Sequence, residues 1–191
     1  MTLHRPSDRD SSAPDPGSFD REIPGLDPPS GWTDQLCTTD GPIFWARLMT
    51  SEAARVRRYR RPATVVLFEL AGLGRLGRMW GDDVAVQCLI RAAGILTSQV
   101  RSSDHAARIA TSRFGIYLPE TNEIDAINFV ERTRTAVIAD LGPAGESVTA
   151  AFGWASPTDG ELEAALVIAE ERLAREIAAE VRPPRSGPLP G

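Results

Sequence analysis

Cysteine and histidine are scarce in this chain: Cys37, Cys88, His4 and His105 are the only ones in 191 residues. Two distant thiols make no disulfide framework and no zinc cluster, and two distant imidazoles make no metal pair, so no metal or other cofactor is expected. Long apolar runs are also missing. The most apolar one, Ala63 to Phe68, ends at Glu69, far short of the ~18–20 residues a membrane helix needs. The first thirty residues are acidic and proline-rich with no apolar signal core. A cytosolic protein without membrane contact is predicted. Positive charge is not in excess either: the net charge is −5, which gives no general attraction to nucleic acid or anionic lipid. Any recognition of phosphate must come from local clusters of cations.

What is present, 42% hydrophobic and 25% charged residues, supports one domain with one sizeable core. Residues 1–33 are dense in Pro, Ser, Asp and Gly, as in Ser11-Ser-Ala-Pro-Asp-Pro-Gly17, and are predicted to form a disordered tail. Residues 179–191 form a second, proline-rich tail. Between them, over 34–178, helical and strand periodicities alternate. A helix is expected from about Asp40 to Tyr59, with Ile43, Phe44, Leu48, Ala54 and Val56 inward and Arg55, Arg57, Arg58, Arg60 and Arg61 forming a solvated basic end that suits the helix dipole. Pro62 stops it. The run from Thr64 to Leu70 predicts a buried central strand, and Gly72, Gly74 and Gly77 a loose stretch after it. Asp82 or Asp83 can cap a helix through Val100. Strands follow over Ala106–Ile109 and Phe114–Leu118, then a helix over Glu123–Ile138, a strand over Glu146–Ala155 and a helix over Gly160–Ala179. The pattern is that of an α/β or α+β sandwich with one sheet. Trp32, Trp45, Trp80 and Trp154 are expected in core or hinge packing rather than as stacking platforms for bases.

Several segments in collinear order carry a resemblance. Asp34-Gln-Leu36 followed by Phe44, the run Arg57-Arg-Tyr-Arg-Arg-Pro62, the segment Val148-Thr-Ala-Ala-Phe-Gly153 and the helix containing Ala169-Glu-Glu-Arg-Leu173 resemble, in order and spacing, the GGDEF domain of diguanylate cyclases. Cys37-Thr-Thr39 departs from the family's entry motif, which has threonine-glycine there. The resemblance implies a palm-like nucleotidyl-cyclase fold, a central, mostly antiparallel sheet flanked by helices. It places the signature hairpin at Ala110-Thr-Ser-Arg-Phe114, where Phe114 keeps the packing position and the acids are gone.

Joining two GTP molecules requires Mg²⁺ ions on hard oxygen ligands. By resemblance those ligands fall on Glu69, the carbonyl of Leu70 and Ser112, of which only Glu69 is a carboxylate, and Arg113 replaces the neighbouring acid. The family's phosphate-binding lysines fall on Gly74 and Ile177, and its guanine-reading Asn and Asp on Gly77 and Val86. A degenerate domain without catalytic residues is expected, so the chain is predicted not to be an enzyme.

The family's product site survives. Arg101-Ser-Ser-Asp104 stands nine residues ahead of Ala110, where such domains hold cyclic di-GMP, and Arg132 matches a third contributor. A guanidinium can fork onto phosphate or onto guanine O6 and N7, and a carboxylate can accept from guanine N1 and N2. Arg134 and His105 are further candidates for phosphate contact. The resemblance thus implies a cytoplasmic cyclic di-GMP receptor that signals to a protein partner, with a ligand-dependent homodimer as one outcome. The alternatives are a nucleotide-independent interaction or dimerisation module, a domain that binds GTP without turnover, and a residual cyclase.

Overall fold

The computed structural model describes residues 23–180. Its elements in chain order are β1 (Thr33–Asp34), β2 (Thr39–Asp40), α1 (Pro42–Tyr59), β3 (Ala63–Ala71), α2 (Leu73–Trp80), α3 (Asp82–Gln99), β4 (His105–Arg108), β5 (Arg113–Pro119), α4 (Glu123–Leu141), a 3-10 turn (Gly142–Ser147), β6 (Thr149–Ala155) and α5 (Leu162–Glu180). The six strands form one sheet in the order β1-β2-β4-β5-β3-β6. Every pairing is antiparallel except that of β2 with β4. The expected mixed α/β architecture is therefore present.

Strand β3 is apolar throughout because both of its faces are covered. Val66, Phe68 and Leu70 join the cluster that includes Leu89 and Leu96 of α3 and Val130 and Val137 of α4. The alternate Val65 packs with Trp45 and Val56 of α1, and Leu67 packs with Ala169 and Leu173 of α5. Phe68 stacks between Phe114 and Phe152, with ring centroids 5.7 and 4.8 Å away. Phe114 thus keeps the packing role expected of it. Gly153 lets α5 lie directly on β6, since a Cβ there would run into the carbonyl of Ala169.

Strand β6 is the outer edge of the sheet, and charged side chains satisfy its outward backbone groups. Arg134 donates to the carbonyl of Ala150 at 2.6 Å, Glu176 accepts from the Phe152 N–H at 2.9 Å, and Arg172 donates to the carbonyl of Trp154 at 2.6 Å. Arg134 and Glu176 also pair at 2.6 Å. Such capping blocks pairing with another chain's strand.

Several expectations need correction. Residues 23–33 are not all tail: Ile23 and Leu26 are buried in the main core, so the ordered unit begins before residue 34. Residues 1–22 and 181–191 lie outside the described residues, including most of the second expected tail. The glycine-rich stretch after β3 is the helix α2, with Gly74 and Gly77 on its buried side. Gly81, not Asp82 or Asp83, is the N-cap of α3, and the two acids lie in the first turn. On α1 the buried face is Trp45, Leu48, Glu52, Ala53 and Val56, while Ile43 and Ala54 are exposed. The inward stripe is rotated because Trp45 seats against the flat surface of Gly115 on β5. Trp45 is core, but Trp32 and Trp80 are more than half exposed and Trp154 is half-buried.

Candidate functional site

Three arginine-centred arrangements lie around the strands and turns that the sequence singled out. The deepest is Arg108, the last residue of β4, only 1% exposed. Its Nη1 donates to Asp34 Oδ1 at 3.1 Å, its Nη2 to the carbonyls of Asp27 and Thr111 at 2.7 and 2.8 Å, and its Nε to Thr111 at 3.1 Å. Asp34 Oδ2 accepts the Cys37 N–H at 3.0 Å. One guanidinium thereby fastens the segment before β1, the β1–β2 hairpin and the loop 109–112 to the sheet. A charge so buried is tolerated only when it is paired and hydrogen-bonded, and Arg108 is both. Burial also pushes the Cys37 thiol up to about 12.

The second arrangement is at the end of β3. Glu69 and Arg113 stand directly opposite each other in the β3–β5 ladder. Arg113 Nε and Nη2 both approach Glu69 Oε2, at 2.7 and 2.6 Å. Ser112 stays close through its carbonyl, which accepts the Leu70 N–H at 3.1 Å. The turn is closed by the N–H groups of Ile109 and Ala110, both donating to the carbonyl of Arg113. The residues Glu69, Leu70, Ser112 and Arg113 that the sequence picked out are thus brought together, with Ala110 and Thr111 in the same turn. Gly74 and Gly77 are buried in α2, Val86 is half-buried on α3, and Ile177 packs against the α5 cluster. Among the described residues, no three His, Cys, Asp or Glu side chains are grouped as a metal ion would require.

The third arrangement follows α3. Asp104 closes the turn that leaves the helix: its Oδ2 accepts the Arg101 backbone N–H at 2.8 Å, its Oδ1 accepts the Ser103 hydroxyl at 3.3 Å, and its own N–H donates to the Arg101 carbonyl at 3.0 Å. The Arg101 side chain is exposed and makes no ion pair with Asp104. Arg132 reaches the same end of α3 from α4, donating from Nε to Gln99 Oε1 at 2.7 Å and from Nη2 to the Gln99 carbonyl at 3.3 Å. Its guanidinium also lies 5.6 Å from the Phe129 ring centroid. Arg101, Asp104 and Arg132 therefore gather around the last turn of α3. The extra candidates do not join them. Arg134 is engaged at the β6 edge, and His105 packs its ring 5.6 Å from that of Phe44.

Residues 32–178 match the family described as diguanylate cyclase, GGDEF domain. The chain belongs to the GGDEF family. Solved structures of this family share its fold. The diguanylate cyclase SiaD of Pseudomonas aeruginosa, crystallised with its activator SiaC, is 22% identical with a TM-score of 0.69, over 77% of this chain and 58% of that one. The chain thus spans little more than half of SiaD. The GGDEF domain of DgcB from Caulobacter crescentus, in complex with c-di-GMP, is 15% identical with a TM-score of 0.71, over 78% of this chain and 92% of that one. The FimX GGDEF domain from Pseudomonas aeruginosa is 16% identical with a TM-score of 0.70, over 78% and 96%. No helix among the described residues is long and apolar enough to cross a membrane.

The pairing of Arg108 with Asp34 is not stated by the sequence, although one signal is present. An arginine inside the otherwise apolar Ala106-Ala-Arg-Ile109 strand demands a buried carboxylate, and Asp34 of the entry segment supplies it.

Proposed function

We propose that this GGDEF domain does not make cyclic di-GMP but binds it, through Arg101, Asp104 and Arg132, and passes the signal to a protein partner. The observation that carries the reading is the contrast in how two sets of guanidiniums are used. At the end of β3, Arg113 already satisfies the carboxylate that a divalent ion would need, and Ser112 offers a neutral hydroxyl beside it. The residues present do not fit a pair of Mg²⁺ ions. Phosphate contacts are missing as well: all 21 basic residues of the chain are arginine, so neither family lysine has a counterpart. At the end of α3, by contrast, the Arg101 guanidinium has no ion pair among the described residues, and Arg132 is held by two neutral groups, Gln99 and the Phe129 ring. Both can turn to a phosphodiester or to guanine O6 and N7.

The complex of DgcB with c-di-GMP and that of SiaD with its activator lend the ligand and a protein partner to this reading. A stack of two ligand molecules has more hydrogen-bonding edges than one Arg-x-x-Asp turn satisfies, so ligand favours a second copy of the chain by mass action. The sealed β6 edge keeps that contact away from this edge of the sheet. Sedimentation velocity is expected to show more dimer with cyclic di-GMP than without it.

Two measurements test the reading. Incubation with GTP and Mg²⁺ or Mn²⁺ is expected to yield no cyclic di-GMP above a control without protein. Product that disappears on Glu69→Ala contradicts the silent centre. Calorimetric titration with cyclic di-GMP, GTP and cyclic di-AMP is expected to give heat of binding with the first alone. No binding at micromolar concentrations leaves the interaction module as the better account.

A further inference from the structure

Beside the Arg101–Asp104 turn, between the β1–β2 hairpin and the end of α3, lies an open cavity of about 570 Å³. That is within the roughly 300–1,000 Å³ of small-molecule sites. Thr33, Gln35, Thr38 and Asp40 line it from the hairpin, and Thr97 and Val100 from α3. Ala106, on the far side of the turn, completes the wall, so the cavity borders the chain on both sides of Arg101 and Asp104.

The lining has a definite hydrogen-bonding character. Thr33, Gln35 and Thr38 form no side-chain hydrogen bond among the described residues, and neither does the carboxylate of Asp40. Burial raises the pKa of the Asp40 carboxyl, partly offset by the imidazole of His105 at the start of β4. Asp104, in contrast, already uses both carboxylate oxygens to close its own turn. Guanine presents two adjacent donors, N1–H and N2–H, which a carboxylate accepts together, while adenine has no donor at N1. The nearby carboxylate without a hydrogen bond is therefore Asp40, and the free amide and hydroxyls around it can serve O6 and N7.

We propose that this cavity receives one guanine of cyclic di-GMP, with Asp40 as the acceptor for its N1–H and N2–H and Arg101 holding the adjoining phosphate. The proposal rests on the receptor reading above and adds a base-selective subsite to it. Asp40 is placed for the task by the backbone: β2 pairs with β4 through Asp40 and Ala107, which fixes the hairpin relative to the Arg101 turn. The buried Arg108–Asp34 pair holds the same hairpin from behind.

The test uses the full chain in calorimetric titrations with cyclic di-GMP and cyclic di-AMP, comparing wild type with Asp40→Asn, Thr97→Phe and Arg101→Ala, with thermal unfolding as the check on folding. Asp40→Asn removes the acceptor and Thr97→Phe fills the space. Each is expected to weaken cyclic di-GMP binding about tenfold or more, and Asp40→Asn to narrow the gap between the two dinucleotides. If both variants bind cyclic di-GMP like wild type while Arg101→Ala does not, the subsite is wrong and the receptor reading stands. If the wild type itself does not bind, both fall.

Discussion

The end of β3 and the end of α3 each carry an arginine and a carboxylate, and use them in opposite ways. Glu69 and Arg113 face each other across two strands and are consumed by a mutual ion pair. Arg101 and Asp104 lie on one turn, where the carboxylate caps backbone and leaves the guanidinium outside. The same two residue types therefore give a closed, self-satisfied site in one place and an open one in the other. Whether an arginine is available to a ligand is decided by what already accepts from it. Arg108 marks the extreme, with all three of its guanidinium nitrogens donating inside the fold.

Stability measurements should separate these arginines, and the largest effect belongs to Arg108. Arg108→Met leaves Asp34 buried without its partner and is expected to cost about 3–5 kcal/mol in urea unfolding. A loss below about 1 kcal/mol would deny Arg108 its fastening role. Arg113→Met removes a pair in which the arginine side chain is 37% exposed and water already screens the charges. A cost of about 1 kcal/mol or less is expected. Arg101→Ala, which breaks no side-chain hydrogen bond or ion pair among the described residues, should leave the unfolding free energy within about 0.5 kcal/mol of wild type. An equal cost at all three positions would erase the distinction between spent and free guanidiniums.

A further effect is confined to alkaline pH. Burial raises the Cys37 thiol from its ordinary 9.0 to about 12, so the folded state keeps it neutral when the unfolded chain would ionise it. The stability this thiol contributes is fully present below pH 9 and is lost as the pH rises through 9 toward 12. Cys88 and Tyr117, whose ionisation burial also opposes, add to the same fall. Cys37→Val should therefore flatten part of the fall in urea midpoint across that range, and an unchanged slope would show that burial does not hold the thiol neutral.

How far the sequence discloses this structure differs by element. β3 and α3 are plain in it, because a β-branched run covered on both faces and a long apolar periodicity each have one reading. α2 is hidden because its glycines signal a break, yet they serve to bring the helix close to its surroundings, as at Gly77, where a Cβ would press on Asp82. β1 and β2 span two residues each, too short to leave a period. At the site, the Arg-x-x-Asp turn is legible because its members are local. The Glu69–Arg113 pair is not, since it depends on the register between β3 and β5, which the residues alone do not state. The sequence puts Asp40 at a helix start, and it becomes a cavity wall only once the hairpin pairs with β4.

The central claim, that the guanidinium of Arg101 beyond the end of α3 reads a nucleotide while that of Arg113, paired to Glu69 at the end of β3, does not, is tested most directly by one paired titration. Cyclic di-GMP is titrated into wild type, Arg101→Ala and Arg113→Ala under the same conditions. The account predicts that Arg101→Ala loses about 2 kcal/mol or more of binding free energy, the strength of a charge-assisted contact, and that Arg113→Ala binds as wild type does. Equal binding by Arg101→Ala and wild type, or a loss confined to Arg113→Ala, would contradict it.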